Sequence, residues 1–400
     1  MTKFLNKNVR LLTVSQACFL ACSMTFVTFA GLSGKQLAAD PSYATLAMSF
    51  AVLSTALSTG PMSMLMQRTS RRFGFRLGSV FGVLAGLLGA LSLAVGNFWL
   101  LCGAALMMGP FQSSAQYYRF AAAESVPASE APRAISMVLI GGLFAALIVP
   151  SITSWFNFQF EESTYIGAFV FIACAAALVM VPISFYTPLE KPLGVEHESL
   201  NSAATRPLSE IIRIPKFLIA VINASLGYAM MAFVMTATPL ATQAYGFGSE
   251  ISSRVIQGHV IAMFLPSLFT GHLISRFGII SILLSGHAFF AIAFITALSG
   301  TDVWHFTVAL IALGLGWNFS FVGGSTLLTE VHSDSEKGKV QGLNEFIVFG
   351  LSALASFAAG VILSRYGWNM VNQAAFVLLV VVVSVTALWG GMRLLRHKAA

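Results

Sequence analysis

Arg72-Phe73-Gly74 recurs as Arg276-Phe277-Gly278, about half a chain further on, and this duplication decides the fold. Each copy stands between long apolar runs. Two copies of one multi-helix unit, in the same order and at the same spacing, are typical of membrane proteins built from internal repeats. A second polar set accompanies the motif, with Glu124, Ser129, Glu130 and Arg133 in the first copy and Glu330, Ser335, Glu336 and Lys339 in the second.

The composition excludes an ordinary soluble domain. Of the 400 residues, 57% are hydrophobic and 9% are charged, whereas about 25% of residues are charged in an average soluble domain. Apolar runs of roughly 20 residues are long enough to cross the hydrocarbon core as helices. Twelve such runs are predicted, at about 11–31, 43–66, 77–95, 98–123, 134–157, 164–185, 216–239, 252–273, 280–299, 304–328, 341–364 and 371–393.

The placement of Lys and Arg predicts the topology. If both termini and every second loop are cytoplasmic, all of the 22 Lys and Arg residues except Lys35, Arg254 and Arg365 lie on that side. The positive-inside rule expects such an excess, and an odd number of spans would destroy it. The net charge of +7 is therefore explained by topology, and no nucleic-acid partner is needed to account for it.

An even number of spans per half makes both halves enter the membrane in the same direction, so the copies are parallel repeats. The predicted fold class is an all-α membrane protein with twelve transmembrane helices in two parallel six-helix repeats. The predicted domains are the first half at 1–185, a polar cytoplasmic linker at 186–215 and the second half at 216–400.

Twelve spans, parallel halves and a basic loop between helices 2 and 3 resemble the major facilitator superfamily in its bacterial twelve-helix form, over nearly the whole chain. One family signature is a Gly-x-Leu-x-Asp-Arg-x-Gly run in that loop, echoed between helices 8 and 9. The resemblance implies that both loops take part in switching between inward-open and outward-open states. The matching residues are Arg72 and Gly74 in the first copy, and Gly271, Leu273, Arg276 and Gly278 in the second.

Both copies depart from the signature. Arg71 and Ser275 stand where Asp is expected, and Gln67 replaces the leading Gly of the first copy. Loss of both acids puts the usual charge relay in doubt but leaves the architecture standing. In helix 5, Val149 replaces the Gly before Pro150 of the drug-exporter signature, which weakens a drug-export interpretation.

The resemblance implies that helices 1, 4, 7 and 10 line a central cavity. Aligning the halves places an aromatic residue and an amide of helix 4 opposite an aromatic residue and an amide of helix 10, at about mid-membrane depth. Helices 1 and 7 similarly offer one amide each. The predicted substrate-cavity residues are Gln16, Phe111, Gln112, Asn223, Tyr228, Trp317 and Asn318.

Each of these amides has two interpretations. An amide in hydrocarbon needs a polar partner, and that partner is either the substrate or a fixed hydrogen bond between helices. Repetition at symmetry-related places favours the substrate. A lining of aromatic, amide and hydroxyl groups without a midplane charge suits a neutral or weakly charged organic solute with a flat apolar part.

Ionisable residues inside the membrane are candidates for gating or coupling. Arg119 in helix 4 and Glu345 in helix 11 lie at comparable predicted depth, and we expect them to pair in the outward-facing state and separate when the protein opens inward. The alternatives are that Arg119 snorkels to the interface and that Glu345 complements the positive end of its helix. His259 is either a proton relay or a neutral imidazole bonded to a neighbouring helix.

The function predicted is secondary active transport of a small organic solute across the bacterial inner membrane by alternating access. Direction stays open between export of a small metabolite, siderophore or drug and uptake of a vitamin-like metabolite. A membrane sensor with a transporter fold is the non-transport alternative. No catalytic set, metal site or cofactor motif is visible, so an enzyme is not expected. The expected partners are the solute, the lipid bilayer and protons as a candidate coupling ion, for a monomer.

Overall fold

The computed structural model describes residues 5–39, 46–160, 165–188, 206–247 and 249–399, and within these ranges the chain is almost entirely helical, without a strand. The first repeat comprises α1 (Lys7–Leu37), α2 (Leu46–Arg68), α3 (Arg71–Ala94), α4 (Phe98–Gln116), α5 (Tyr118–Glu124), α6 (Ala131–Leu139), α7 (Gly141–Gln159) and α8 (Ile166–Phe185). After α9 (Leu208–Ile211), the second comprises α10 (Pro215–Ala244), α11 (Ser249–Phe264), α12 (Ser267–Phe277), α13 (Ile279–Ser299), α14 (Val303–Thr329) and α15 (Lys337–Ala399).

Short polar side chains cap the N-termini of several helices. Asn6 accepts a hydrogen bond from the Val9 amide at the start of α1. Ser70 caps α3 and Asn97 caps α4 in the same way. Each side chain satisfies a backbone N–H that has no partner inside the helix.

Nine helices in the described ranges are long and apolar enough to cross a membrane, and a tenth span results if the pair α11 and α12, bent by 40°, is counted as one. Of these nine, two lie within α15, which breaks at Gly367 with φ of 78°. The other two predicted spans fall on α2 and on α4 with α5. Their Ser, Thr and Gln residues lower the mean hydropathy.

The chain forms two compact units, and each contains a piece of the opposite repeat. Unit 1 is Met1–Ala128, Phe144–Ile211 and His332–Phe346; unit 2 is Ser129–Leu143, Ile212–Val331 and Ile347–Ala400. The predicted boundaries at 1–185, 186–215 and 216–400 describe the repeat along the sequence and stay a prediction. Residues 189–205 of the predicted linker lie outside the described ranges.

Glycines let helices approach closely within unit 1. A Cβ at Gly86 of α3 would lie 2.4 Å from the Ala173 nitrogen of α8, and one at Gly89 would lie 2.1 Å from the Phe169 ring. Small residues at such contacts are the usual means of helix association in lipid, where burial of apolar surface gives little drive. Substitution at these glycines would push α3 away from α8.

Candidate functional site

Arg119 and Glu345 form a buried ion pair in unit 1. Arg119 Nη2 lies 2.5 Å from Glu345 Oε1, and the side chains are 2% and 0% exposed. Arg119 belongs to the first repeat and Glu345 to the segment His332–Phe346 of the second. The structure therefore brings together the two residues that the sequence places at comparable depth, and their gating role stays a prediction.

The pair is only partly satisfied by hydrogen bonds. Arg119 Nη1 donates to the carbonyl oxygen of Gln116 at 2.9 Å and to its side-chain oxygen at 3.1 Å. Glu345 Oε1 accepts from Asn344 Nδ2 at 2.7 Å. Glu345 Oε2 is buried and has no partner among the described residues. A buried, unpaired carboxylate oxygen is costly while charged, and a coupling role of Glu345 stays a prediction.

Arg71 is the centre of a second polar cluster in unit 1. Its Nη2 lies 2.6 Å from Glu124 Oε1 and donates to Gln341 Oε1 at 2.6 Å. Lys337 Nζ lies 3.3 Å from Glu124 Oε2. Arg71 occupies the position at which the family signature has Asp, so here a cation of the helix 2–3 loop contacts the beginning of α15, and the acid is Glu124.

The Glu124 carboxyl is strongly biased toward its charged form. Burial alone would raise its pKa, but the Arg71 guanidinium and the Lys337 ammonium outweigh burial and hold the pKa at about 2. Opposite charges within hydrogen-bond distance have this effect on a carboxyl group. At neutral pH Glu124 is therefore charged in this arrangement, in which it pairs with Arg71 and Lys337.

The second departure from the signature also has a structural counterpart. Gln67 Nε2 donates to the Ser335 carbonyl at 2.5 Å. Gly338 lies against the same side chain, since a Cβ at Gly338 would be 2.0 Å from Gln67 Oε1. A glycine at position 67 could not make this hydrogen bond. Both unusual residues of the loop thus bind the segment His332–Phe346.

The end of the predicted linker is attached to the same segment. Arg206 Nε and Nη2 donate to Glu336 Oε1 and Oε2 at 2.8 and 2.7 Å. Lys339 Nζ donates to the Arg206 carbonyl, and Glu336 Oε2 accepts from the Ser333 amide at 3.0 Å. Hydrogen bonds from Arg206 lower the pKa of Glu336. Bidentate contacts of this kind are among the stronger polar interactions in proteins.

The first copy of the repeated motif supports helix packing. Arg72 donates from Nη2 to the Ser184 carbonyl of α8. Gly74 lies beneath Met66, since a Cβ there would be 2.3 Å from Met66 Cγ. Both residues hold the beginning of α3 within unit 1, and their role in conformational switching stays a prediction.

The second copy of the motif contributes a close helix contact and a helix end to unit 2. A Cβ at Gly271 would lie 2.5 Å from the Pro132 carbonyl oxygen, so glycine allows α12 to approach α6. Gly278 ends α12 with φ of 81°, a conformation that favours glycine. The Arg276 guanidinium lies 5.2 Å from the centre of the Phe277 ring.

The predicted cavity residues of the first repeat lie together in unit 1. Gln16 of α1 is buried. Phe111 of α4 is fully buried and its ring contacts Phe19 of α1 edge-on, with centroids 5.4 Å apart. Gln112 is half-buried and its side-chain oxygen accepts from Thr55 Oγ1 at 2.9 Å. Gln112 is thus bonded to α2, whereas Phe111 is packed against α1.

Asn223 of α10 lies in a hydrogen-bonded network inside unit 2. Its Nδ2 donates to the Ile219 carbonyl and to Thr386 Oγ1, both at 2.9 Å. Its Oδ1 lies 2.9 Å from His287 Nε2 of α13. Three helices are therefore joined through one amide, which matches the interhelical interpretation of Asn223; a contact with substrate stays a prediction.

Asn318 of α14 is bonded to the bend between α11 and α12. Its Nδ2 donates to the Met263 carbonyl and to Ser267 Oγ, both at 2.7 Å. Its Oδ1 accepts from Thr270 Oγ1 at 2.7 Å. Pro266 has no N–H, so the backbone is interrupted here, and Asn318 supplies hydrogen bonds at the break. The side chain is fully buried.

Aromatic side chains cluster around Tyr228 in unit 2. The Tyr228 ring centre lies 5.6 Å from Trp317, 5.5 Å from Phe321 and 5.6 Å from Phe349. Trp317 and Phe321 are stacked at 4.9 Å, and Phe264 meets Trp317 edge-on at 5.8 Å. Tyr228 is half-buried and the other rings are buried. We name Tyr228, Trp317, Phe321, Phe349 and Phe264 the aromatic cluster.

His259 of α11 is fully buried. Its Nδ1 lies 2.7 Å from the Leu310 carbonyl of α14, and its Nε2 has no partner among the described residues. This is the contact expected of an imidazole bonded to a neighbouring helix, and a proton-relay role stays a prediction. The described ranges contain no group of three His, Cys, Asp or Glu residues that could hold a metal ion.

Sequence reasoning missed the contacts of Arg71, Gln341, Gln67 and Arg206. The two loop residues were recognised only as departures from a signature. A signal was present, because a cation in place of an acid requires an acid elsewhere nearby, and Glu124 ends the adjacent helix. No sequence signal pointed to Arg206, since its partner is 130 residues away.

The model of the Major Facilitator Superfamily matches residues 12–268 and 255–398. A curated relative, the riboflavin transporter RfnT of Brucella anthropi, is 38% identical over 377 residues, which cover 94% of each chain. The transporter YddS of Bacillus subtilis, described as uncharacterized, is 25% identical over 81% of this chain and 78% of its own.

Solved structures show the same fold. A bacterial homologue of the iron transporter ferroportin, in an outward-facing state, matches with a TM-score of 0.73 and 14% identity, over 97% of this chain and 100% of that chain. The transporter FucP, in the outward conformation, matches with a TM-score of 0.73 and 14% identity, over 96% and 99%. The chain therefore belongs to the major facilitator superfamily of transporters.

Proposed function

We propose that this transporter moves riboflavin, or a vitamin of the same flat, heteroaromatic and hydroxylated class. The observation that carries the proposal is the identity of 38% with a riboflavin transporter along 94% of both chains. The composition of the helices agrees with a neutral solute: α4 and α14 contain no Asp, Glu, Lys or Arg, and α10 contains only Lys216 near its start. A multiply charged solute would need opposite charges at these helices.

Transport in sealed membrane vesicles tests the proposal. Right-side-out and inside-out vesicles that contain the protein are given labelled riboflavin, and empty vesicles serve as the control. Net movement above the empty control in either orientation supports the function, and comparison of the two orientations gives the direction. Movement of a siderophore or a drug, without riboflavin, would replace this substrate with one of the alternatives. A sensor would bind solute without moving it.

The Arg119–Glu345 pair is the proposed gate. It joins a helix of the first repeat to a segment of the second, and the family resemblance implies that these ends meet when the transporter faces outward. A conformational change that removes the segment His332–Phe346 from α5 has to break this pair. The transporter then works by alternating access, with the pair formed in one state and broken in the other.

Protons are the proposed coupling ion, and Glu345 is the proposed carrier. Its Oε2 has no partner in the described residues, so protonation at that atom would remove the cost of an unpaired buried charge when Arg119 departs. An imposed pH gradient should then drive riboflavin movement in proteoliposomes, and Glu345→Gln should abolish the dependence on the gradient. Equal transport with and without the gradient would instead make the protein a uniporter.

The proposed location is the bacterial inner membrane, with both termini in the cytoplasm, and the protein acts as a monomer. The charge distribution along the sequence supports this topology. A reporter that is active only outside the cytoplasm should be silent when fused at Ala400 or near Ser202, and active near Glu161. Cross-linking and light scattering in detergent measure the oligomeric state.

A further inference from the structure

If riboflavin is the substrate, as proposed above, one group of side chains in unit 2 is suited to its ring. In α14, Gly314, Trp317 and Phe321 share one face, since they are three and four residues apart. Gly314 brings this face close to α11, because a Cβ at Gly314 would lie 2.6 Å from the His259 carbonyl oxygen. Trp317 and Phe321, one helical turn apart, form an aromatic stripe along the same face.

This stripe belongs to the aromatic cluster, which has one partly exposed edge. Trp317 is 3% exposed and Phe321 is 2% exposed, whereas Tyr228 is half-buried. A flat ligand can therefore reach the cluster at Tyr228, with Trp317 and Phe321 behind it. Aromatic rings bind flat heteroaromatic systems by stacking and edge contacts at this range of separations.

The indole N–H of Trp317 is the feature that points to a ligand. Trp317 Nε1 is buried and has no hydrogen-bond partner among the described residues. A buried indole N–H normally has one. The rings that surround Trp317 offer carbon faces and edges, apart from the hydroxyl group of Tyr228. The donor is therefore without an acceptor in this arrangement, and its ring adjoins the half-buried Tyr228.

We propose that Tyr228, Trp317 and Phe321 form the subsite for the flavin ring, and that Trp317 Nε1 donates a hydrogen bond to a carbonyl oxygen of that ring. The ligand class is a neutral, flat heteroaromatic compound with a carbonyl acceptor at its edge. The polyhydroxylated chain lies outside the aromatic cluster. Because α10 and α14 bring no Arg or Lys to the cluster, a phosphorylated flavin gains nothing there.

Binding to the purified protein tests the subsite. Riboflavin emission is quenched by stacking on aromatic side chains, and a titration gives the affinity. Trp317→Phe keeps a ring but loses the donor, so we expect about 3- to 10-fold weaker binding. Trp317→Ala loses the ring as well, and we expect roughly 10-fold or greater weakening. Trp304→Phe is the matched control, because Trp304 lies in the same helix and is 56% exposed.

Two further measurements separate a ligand contact from a structural effect. Lumiflavin, which has the ring without the hydroxylated chain, should compete with riboflavin, and ribitol should not. In the infrared spectrum of bound riboflavin, a ring carbonyl band should shift to higher frequency in Trp317→Phe, since its hydrogen bond is lost. A packing role would leave that band unchanged.

The outcomes distinguish the subsite from the function. If the wild type binds riboflavin, and Trp317→Phe binds it with the same affinity and the same carbonyl bands, the subsite is overturned and the transport proposal still stands. Absence of flavin binding by the wild type would overturn the transport proposal itself. Competition by ribitol without competition by lumiflavin would move recognition to the hydroxylated chain and also overturn the subsite.

Discussion

Arg119 Nη2 lies 2.5 Å from Glu345 Oε1, and neither side chain is more than 2% exposed. The two residues come from opposite repeats, yet they belong to the same compact unit. Removing either partner leaves one buried charge without compensation, which costs about 3–5 kcal/mol when no other group replaces it. A difference of this size can reverse a two-state equilibrium.

We expect Arg119→Gln and Glu345→Gln each to favour the inward-open state and to reduce transport. In a cysteine-free background, a cysteine at Ser136 should then be labelled faster from the cytoplasmic side. Arg133→Gln is the control, because it removes a more exposed ion pair with Glu130.

The double exchange Arg119→Glu with Glu345→Arg should recover part of the lost transport. Recovery is partial because Gln116 would place two oxygens beside the new carboxylate. A double variant no better than the worse single variant would argue that the two residues act separately, as a snorkelling Arg and a helix-end carboxylate.

The Glu124 pair predicts a pH dependence of stability. The pKa of Glu124 is lowered from an ordinary value of 4.5 to about 2, so the native state gains stability above 4.5 and loses it as the pH falls from there toward 2. Glu124→Gln should therefore lower the melting temperature at pH 7, and the difference from wild type should shrink between pH 4.5 and 2. Thermal unfolding in detergent at stepped pH measures it. A difference that stays constant across this range would exclude the pairing of Glu124 with Arg71 and Lys337.

The fold was predictable because its evidence is periodic and redundant. The repeated Arg-Phe-Gly motif, the apolar runs and the one-sided Lys and Arg each indicate the same parallel repeat. The Arg119–Glu345 contact was also within reach, since predicted depth along two helices is enough to place both side chains at one level. The function of this contact could not be predicted, because a gate is defined by two conformational states and the contact belongs to one of them.

The contacts of Asn318 could not be predicted in the same way. Symmetry between the repeats pairs it with Gln112, but symmetry does not reveal how far each helix is rotated. Asn318 contacts the break between α11 and α12 at Pro266, whereas Gln112 accepts a hydrogen bond from Thr55 of α2, which continues as one helix through Pro61. A local break in a helix backbone therefore determines which groups an amide side chain bonds, and the sequence does not show where such a break changes the helix direction.

We expect Asn318→Ala and Gln112→Ala to differ in stability. Asn318→Ala removes the hydrogen bonds to the Met263 carbonyl and the Ser267 hydroxyl group, at a cost of about 1–3 kcal/mol, whereas Thr270 keeps its bond to the Pro266 carbonyl. Gln112→Ala removes one contact of a half-buried side chain and should change the melting temperature little. Both variants should impair transport if both amides meet substrate.

Thermal unfolding and transport rates, measured on the same preparations, check this expectation. Normal transport by Asn318→Ala, after correction for the amount of folded protein, would assign Asn318 to helix joining alone. Equal stability of the two variants would contradict the importance of the bend contacts.

The Gln67 side chain gives the last prediction. A Cβ at Gly338 would be 2.0 Å from Gln67 Oε1 and 3.1 Å from Gln67 Cβ, so Gly338→Ala has to displace Gln67 and break its hydrogen bond to the Ser335 carbonyl. We expect this substitution to reduce transport, because the helix 2–3 loop then loses a contact with the segment His332–Phe346. In the Gln67→Gly background, which restores the family residue, the extra methyl group no longer meets the three side-chain atoms nearest to it. Gly338→Ala should therefore have a smaller effect there than in the wild type.

Transport rates of the two single variants and the double variant form a double-mutant cycle, with Gly350→Ala as the control because a Cβ at Gly350 has no atom within 4 Å. Additive effects in the cycle would mean that Gly338 acts independently of Gln67.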